Sequence, residues 1–547
     1  MSETSKKQTF LHGAALLAIA TAVVKLIGAL YKLPLNAVIG AEGYAYFTTA
    51  YDIYAVLLMI STAGLPVAMS RMISQANALG HYNQVRRIYR TARAIFLGLG
   101  VISTLLMLIG CRYLANVLNQ PDAWAAIASL APCALLMGLI SAYRGFFQGQ
   151  GNMRPTSNSQ MMEAVFKLLV GLTAAFAIMH FTNSVALAAG GAILGVTVSC
   201  IFSVLYLRGK FTPAYRELPQ SDEQVRSFGS TAKGLLAIAV PITIGSAGLQ
   251  LLTVVESGLY MDRLVYLIGS NQYMGQMVTA QVDAQKAATI LKGIYNMAQT
   301  IFNMPCAFII PITVSVIPAI TANLTLLKDQ AVRETEESAA RITGLLSLPC
   351  TVGLFVLGEP VMQLLGGYTG SNLVLGGQLL ALLGISIFLY AIIQYTNALL
   401  QSHGYAHVPV INMLLCGVAK LAVVYILVGN PAIGILGAPI GAILGYGGIA
   451  VLNLFAIRRL VPQKPALLKN LLRPVLPAAL MGGAVYGCQQ LLVKLLGADA
   501  SSLILCGGPI VVGVVVYFVG VVLFKSIKKE DCQLLPKGDK IAKLLRL

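Results

Sequence analysis

Six charged residues stand where charge is hardest to keep. Lys25, Lys167 and Lys420, with Asp52, Glu163 and Glu256, fall inside long apolar runs. A charge at the centre of a membrane helix costs about 2.5–3.5 kcal/mol on insertion scales. A residue retained at that cost has a partner or a task. Lys25 lies in Val23-Val24-Lys25-Leu26-Ile27-Gly28. It either snorkels to a surface or lines a cavity for an anionic head group. Glu163 and Lys167 are four residues apart and share a helix face, so an intrahelical ion pair and a direct role towards substrate are both open. Lys420 has Cys416, not an acid, at the same spacing. Lysine binds phosphate as a point charge, so Lys167 and Lys420 facing one midline would suit a phosphate or pyrophosphate. Asp52 and Glu256 lie nearer the outer interface, where charge costs less.

Other constellations carry less. His403 and His407 have the i, i+4 spacing of a metal pair, but Gly404 and Pro409 argue for a loop there,. The run Arg86, Arg87, Arg90, Arg93 reads as a topology signal that also meets anionic lipid. The nine cysteines are scattered singly, without a CxxC pair, and read as small packing residues,. No nucleophile motif, phosphate-binding glycine loop or metal cluster stands out, and nothing argues for an enzyme or a cofactor.

The elements that must position these charges are apolar. Of 547 residues 57% are hydrophobic and 11% charged, against roughly 45–50% and 25% in soluble domains. The mean hydropathy is +0.78. Apolar runs recur at about 9–31, 43–66, 88–111, 123–144, 157–180, 185–207, 232–256, 288–316, 340–358, 374–400, 408–428, 434–457, 472–495 and 502–524, each near the length of about 20 residues that spans a bilayer. The first is too long for a signal peptide and lacks a clear cleavage site, so it reads as a retained span. The net charge of +18 is dispersed in short loops, which excludes a nucleic-acid-binding face and fits the positive-inside rule,. With the start inside, 29 of the 38 Lys and Arg residues fall on the cytoplasmic side and six outside, among them Lys32, Lys286 and Lys292. Both termini are then cytoplasmic, which requires an even number of spans.

The chain also repeats. Val85-Arg86-Arg87 aligns with Val332-Arg333-Glu334 at an offset of 247, and Gln148, Gly151 and Lys167 with Gln401, Gly404 and Lys420 at 253. An external loop over about 257–287 absorbs part of the change in offset from the chain start. Six spans is an even number, so the halves have the same orientation. The expected fold is all-α: a polytopic membrane protein with fourteen transmembrane helices, two pseudo-symmetric six-helix lobes (1–230 and 231–465) and two appended helices with a basic tail (466–547).

Arg144-Gly145-Phe146-Phe147-Gln148-Gly149, Asn152-Met153-Arg154-Pro155-Thr156 and Ser159-Gln160-Met161-Met162-Glu163 form one characteristic stretch. Lys25 to Pro34, Gly64 to Ser70, Asn303-Met304-Pro305 and Val316 to Ile320 form others. Together they resemble the polysaccharide-transporter branch of the MOP superfamily, the stage V sporulation protein B-like flippases, which are related to the lipid II flippases. The resemblance implies a central cavity between two lobes and transport of an undecaprenyl-pyrophosphate-linked sugar. It places Lys25, Glu163 and Lys167 on the family's basic and acidic positions, and Glu256 on a late acid of span 7. Two further basic positions of the lipid II flippases fall on Tyr31, next to Lys32, and on Thr300, so their arginine-rich cavity is not reproduced.

The expected function is a monomeric flippase of the cell membrane working by alternating access, serving cell-wall, sporulation or other polysaccharide synthesis. Its partners are a lipid-linked glycan, membrane lipids and a coupling Na+ or H+. The alternative is a cation-coupled multidrug exporter, which would put Glu163, Asp52 and Glu256 at the substrate. A membrane-embedded glycosyltransferase would need acids on the long external loop, where Asp262 and Asp283 lie.

Overall fold

A computed structural model describes residues 3–62, 64–270, 272, 283–325, 329–497, 501–528 and 531. Among these residues the regular structure is helical. In chain order the helices are α1 (Glu3–Thr62), α2 (Leu65–Ala78), α3 (Tyr82–Val117), α4 (Trp124–Gly149), α5 (Arg154–Thr182), α6 (Val185–Arg216), α7 (Phe228–Gly269), α8 (Ala284–Thr325), α9 (Asp329–Val356), α10 (Gly358–Gly366), α11 (Gly370–Ser402), α12 (His407–Val428), α13 (Gly437–Leu460), α14 (Leu467–Leu471), α15 (Val475–Leu496) and α16 (Ser502–Leu523). Among the described residues ten helices are long and apolar enough to cross a membrane.

The first two apolar spans share α1. Their break is one residue, Gly40, with φ 68° and ψ −179°, a conformation that only glycine adopts without strain. The external loop expected over 257–287 is partly helix. α7 runs on to Gly269 because Tyr260, Met261, Leu264, Leu267 and Ile268 continue a buried apolar face past Glu256,. Asp262 and Asp283 are both exposed.

The chain forms two compact units, residues 1–265 with 283–293, and residues 266–282 with 294–547. In the first, α3 packs on α4, α4 on α6, and α5 on α6. In the second the repeat-equivalent pairs pack: α9 on α11, α11 on α13, and α12 on α13. α15 and α16 pack on each other, and α15 also on α9. Pro305, Pro349, Leu354, Met481, Val485, Tyr517 and Phe518 contribute to an apolar cavity of 420 Å³ there.

Each unit ties a helix to a distant segment of chain, the first at a helix start. The first N–H groups of a helix lack internal partners. At α3 the Asn83 N–H donates to the Ser221 hydroxyl at 3.1 Å and the Gln84 N–H to the Glu223 carboxylate at 2.8 Å. Arg86 donates to the carbonyls of Leu218 and Pro219. Burial pushes the Glu223 carboxyl up, but the hydrogen bonds from Ser221 and Gln84 outweigh it and hold the group below its ordinary value,. Beside this loop Tyr89, Tyr143, Phe146, Phe211 and Tyr215 form a ring cluster. In the second unit Arg341 is buried against Asp531 at 2.7 Å, and also donates to Asn470 and Ser338. The arginine thus ties the chain beyond α16 to α9 and α14.

Candidate functional site

The first unit gathers charge from four helices. Lys292 on α8 is fully buried. Its Nζ donates to Thr49 Oγ1 on α1 at 2.7 Å, and that hydroxyl donates to Gln120 Oε1 at 2.8 Å. Asp52, one turn beyond Thr49 on α1, lies in the fields of Lys292, Lys32 and Glu256. Lys32 lies in turn in the fields of Lys167 and Asp52. Asp52 stands 12 residues past the Gly40 break, about 18 Å along the helix, and Lys167 13 residues into α5, about 20 Å.

Lys167 is held by an aromatic face. Its Nζ stands 5.9 Å from the Tyr31 ring centroid, a cation–π distance. Tyr31 is fixed by its hydroxyl, which donates to the Ala192 carbonyl at 3.0 Å, and by an edge contact with Phe47. Gly28 faces the same ammonium: a Cβ there would sit 3.8 Å from Nζ.

The i, i+4 partner of Lys167 is taken elsewhere. Glu163 Oε1 pairs with Arg144 on α4 at 2.7 Å, and Arg144 Nε donates to Ser159 Oγ at 2.9 Å. Arginine's planar fork reaches the carboxylate and the hydroxyl together, which a flexible ammonium does not.

In the second unit Lys420 repeats part of this pattern. Its stem lies over Gly445 on α13, where a Cβ would come within 3.1–3.2 Å of three of its carbons. Its Nζ stands 5.8 Å from the Tyr446 ring. The two tyrosines come from helices that the repeat does not relate. Where the first unit has Arg144 and Ser159, the second has the neutral amides Asn397 and Asn412, with Cys416 in place of Glu163: Asn412 donates to Asn453, and Asn453 to Thr396 and Asn397.

Of the residues singled out by sequence, Asp52, Glu256 and Lys167 thus belong to one charged neighbourhood. Glu163 is bound to Arg144, and Lys420 has its own setting in the other unit. The Lys25 side chain lies outside the described residues. Two members were missed. The loop count puts Lys32 and Lys292 among the external cations, yet Lys32 is half-buried beside Lys167 and Asp52, and Lys292 has no exposure at all. The signal for Lys292 was its position inside the apolar run 288–316. The histidines do not form a metal pair: His403 caps α11 and binds Glu336 at 2.7 Å, while His407 is exposed at the start of α12. Among the described residues no group of three or more His, Cys, Asp and Glu could hold a metal ion.

The sequence profile of the family described as "Polysaccharide biosynthesis protein" matches residues 10–324, and that of "Lipid II flippase MurJ" matches residues 263–505. Stage V sporulation protein B of Bacillus subtilis is 23% identical over 97% of this chain and 98% of its own length. The lipid II flippase MurJ of the same organism is 24% identical over 88% and 89%. A solved structure of lipid II flippase MurJ in an inward closed conformation superposes with a TM-score of 0.68 at 13% identity, covering 93% of this chain and 98% of that one. The profile match over more than half of the chain and the full-length relatives lead to one conclusion: the chain belongs to the polysaccharide biosynthesis protein family, a MurJ-related branch of the MOP superfamily.

Proposed function

We propose that this protein moves a lipid-linked glycan, with an undecaprenyl-pyrophosphate carrier, across the cell membrane by alternating access. The observation that carries the reading is the cationic group inside the first unit, fully buried Lys292 with half-buried Lys32 and Lys167, against Asp52 and Glu256. A pyrophosphate brings several negative charges, and ammonium groups meet them as point charges. Asp52 balances the lysines of an empty site, and a bound pyrophosphate replaces that balance. Lys25 and Lys420 complete the substrate-binding set. Glu163 acts by keeping Arg144 in place. The multidrug-exporter reading is weaker, since it needs Glu163 and Asp52 free for an organic cation, whereas Glu163 is held by Arg144 and Asp52 faces two lysines.

In this reading the chain crosses the membrane fourteen times with both termini cytoplasmic. Lobes 1–230 and 231–465 rock about the head group, and helices 466–547 are appended. It works as a monomer without enzymatic chemistry, with Na+ or H+ as the coupling ion. The test is transport of a fluorescent undecaprenyl-pyrophosphate sugar in proteoliposomes. Lys167→Ala, Lys292→Ala and the Lys25/Lys167/Lys420 triple alanine variant should each lose at least tenfold in rate. Full activity of all three would remove the site assignment.

A further inference from the structure

One titratable pair in the second unit has no part in the site above. His403 Nε2 and Glu336 Oε1 are 2.7 Å apart, with side chains 5% and 0% exposed. The other oxygen of Glu336 is buried without a hydrogen-bond partner among the described residues. The Glu336 backbone is itself held, because Tyr395 on α11 donates to its carbonyl at 2.7 Å. His403 is the C-cap of α11, at the head of the turn to α12, where Gly404 has φ 85° and the Tyr405 N–H returns to the Leu400 carbonyl.

We propose that Glu336 and His403 form a proton-binding latch, fastening the α11–α12 turn to α9 when His403 is protonated and loosening it when it is not. The argument is one of charge. With a neutral imidazole the buried pair carries a full negative charge, one oxygen of which is unserved. With an imidazolium the pair is neutral. A buried charge without its counter-charge is strongly destabilising, whereas a matched pair is tolerated. The carbonyl end of α11 also favours a cation at its cap.

The neighbouring charges are otherwise engaged. On α9 Arg333 pairs with Glu337, and Arg341 with Asp531. On α13 Arg459 lies on the Phe455 ring and Arg458 is exposed. His407 on α12, Lys469 on α14 and Glu359 on α10 are exposed. Tyr395 on α11 is spent on the backbone. The repeat supplies an internal control. At offsets of 247 and 253 the pair corresponds to Tyr89 and Gln150, and Tyr89 sits among rings. Proton sensitivity at this position therefore belongs to the second unit alone.

The test uses the full chain in detergent with its five histidines labelled in the ring with carbon-13. The His403 signal is identified by its loss in His403→Gln, and hydrogen exchange of residues 400–408 is followed from pH 5 to 9. The expected result is a His403 signal that titrates in that range. Exchange of the turn, corrected for its intrinsic pH dependence, should accelerate at least tenfold as the proton leaves. In Glu336→Gln the signal should titrate with at least tenfold weaker proton binding, and the exchange of the turn should no longer follow pH. A wild-type signal that does not titrate, or an exchange rate indifferent to it, overturns the proposal without recourse to any variant. So does a Glu336→Gln protein whose His403 binds its proton as tightly as before.

Discussion

Lys292 illustrates what a single buried ammonium requires. It has a hydroxyl partner in Thr49 and a carboxylate neighbour in Asp52, and both are needed because a lone charge in an apolar interior is not tolerated,. Lys292→Met leaves Asp52 with less compensation. The variant should lose about 1–3 kcal/mol of stability, the scale for leaving the buried Thr49 hydroxyl without its donor,, seen as a lower midpoint of thermal unfolding in detergent. Adding Asp52→Asn should recover part of that loss. An unchanged midpoint in the single variant would show that Asp52 and Lys292 do not depend on each other. Arg144 and Glu163 make the parallel case, with a different expected readout. Glu163→Gln should lower stability and activity together, since its role is to hold Arg144, and Arg144→Lys should not restore them.

At the scale of elements, glycine positions decide where side chains can lie. Gly445 leaves a furrow on α13 that the stem of Lys420 fills. Gly445→Val should displace that lysine and cost about 1–3 kcal/mol, as overpacking does. If Lys420 contacts the head group, transport in proteoliposomes falls by more than the loss of folded protein explains. A variant with unchanged transport would argue that the position of Lys420 is unimportant. The loop over α3 makes a pH-dependent prediction. The Glu223 carboxyl is held below its ordinary value by its hydrogen-bond donors. Its contribution is therefore fully present at neutral pH and is lost as pH falls through its lowered value. Proteolysis within residues 217–226 should accelerate on acidification, and Glu223→Gln should flatten that response.

If the protein moves an anionic head group by alternating access, as proposed, the relevant energy over the whole molecule is electrical. A membrane potential of 100 mV acts on each elementary charge with about 2.3 kcal/mol, enough for about a fiftyfold effect when one net charge crosses the full field. Outward movement of an anionic head group is favoured by an inside-negative potential, and so is inward return of an emptied cationic site. Flipping in proteoliposomes under an imposed potassium diffusion potential should accelerate with its size and slow when its sign is reversed. A rate indifferent to potential would mean that the loaded and empty transitions carry compensating charge.

Much of this protein is written locally. Hydropathy over windows of about 20 residues locates apolar spans because burial in lipid is a property of each segment on its own. The all-helical character follows, since a single segment in hydrocarbon must satisfy its own backbone. The stretches around Lys25, Arg144 and Glu163 carry the family likeness, and the depth of Asp52, Lys167 and Glu256 in apolar sequence marks them before any coordinate is known. Partner choice is another matter. Glu163 lies four residues from Lys167 but pairs with Arg144, 19 residues away. Lys292 finds Thr49 across 243 positions, and His403 finds Glu336 across 67. Spacing along one helix says which groups can meet, but the packing of several helices decides which ones do. Only that packing shows Lys292 to be fully buried and Lys32 to stand beside Lys167 and Asp52, since a lysine near the end of an apolar run reads identically whether the helix end faces water or another helix.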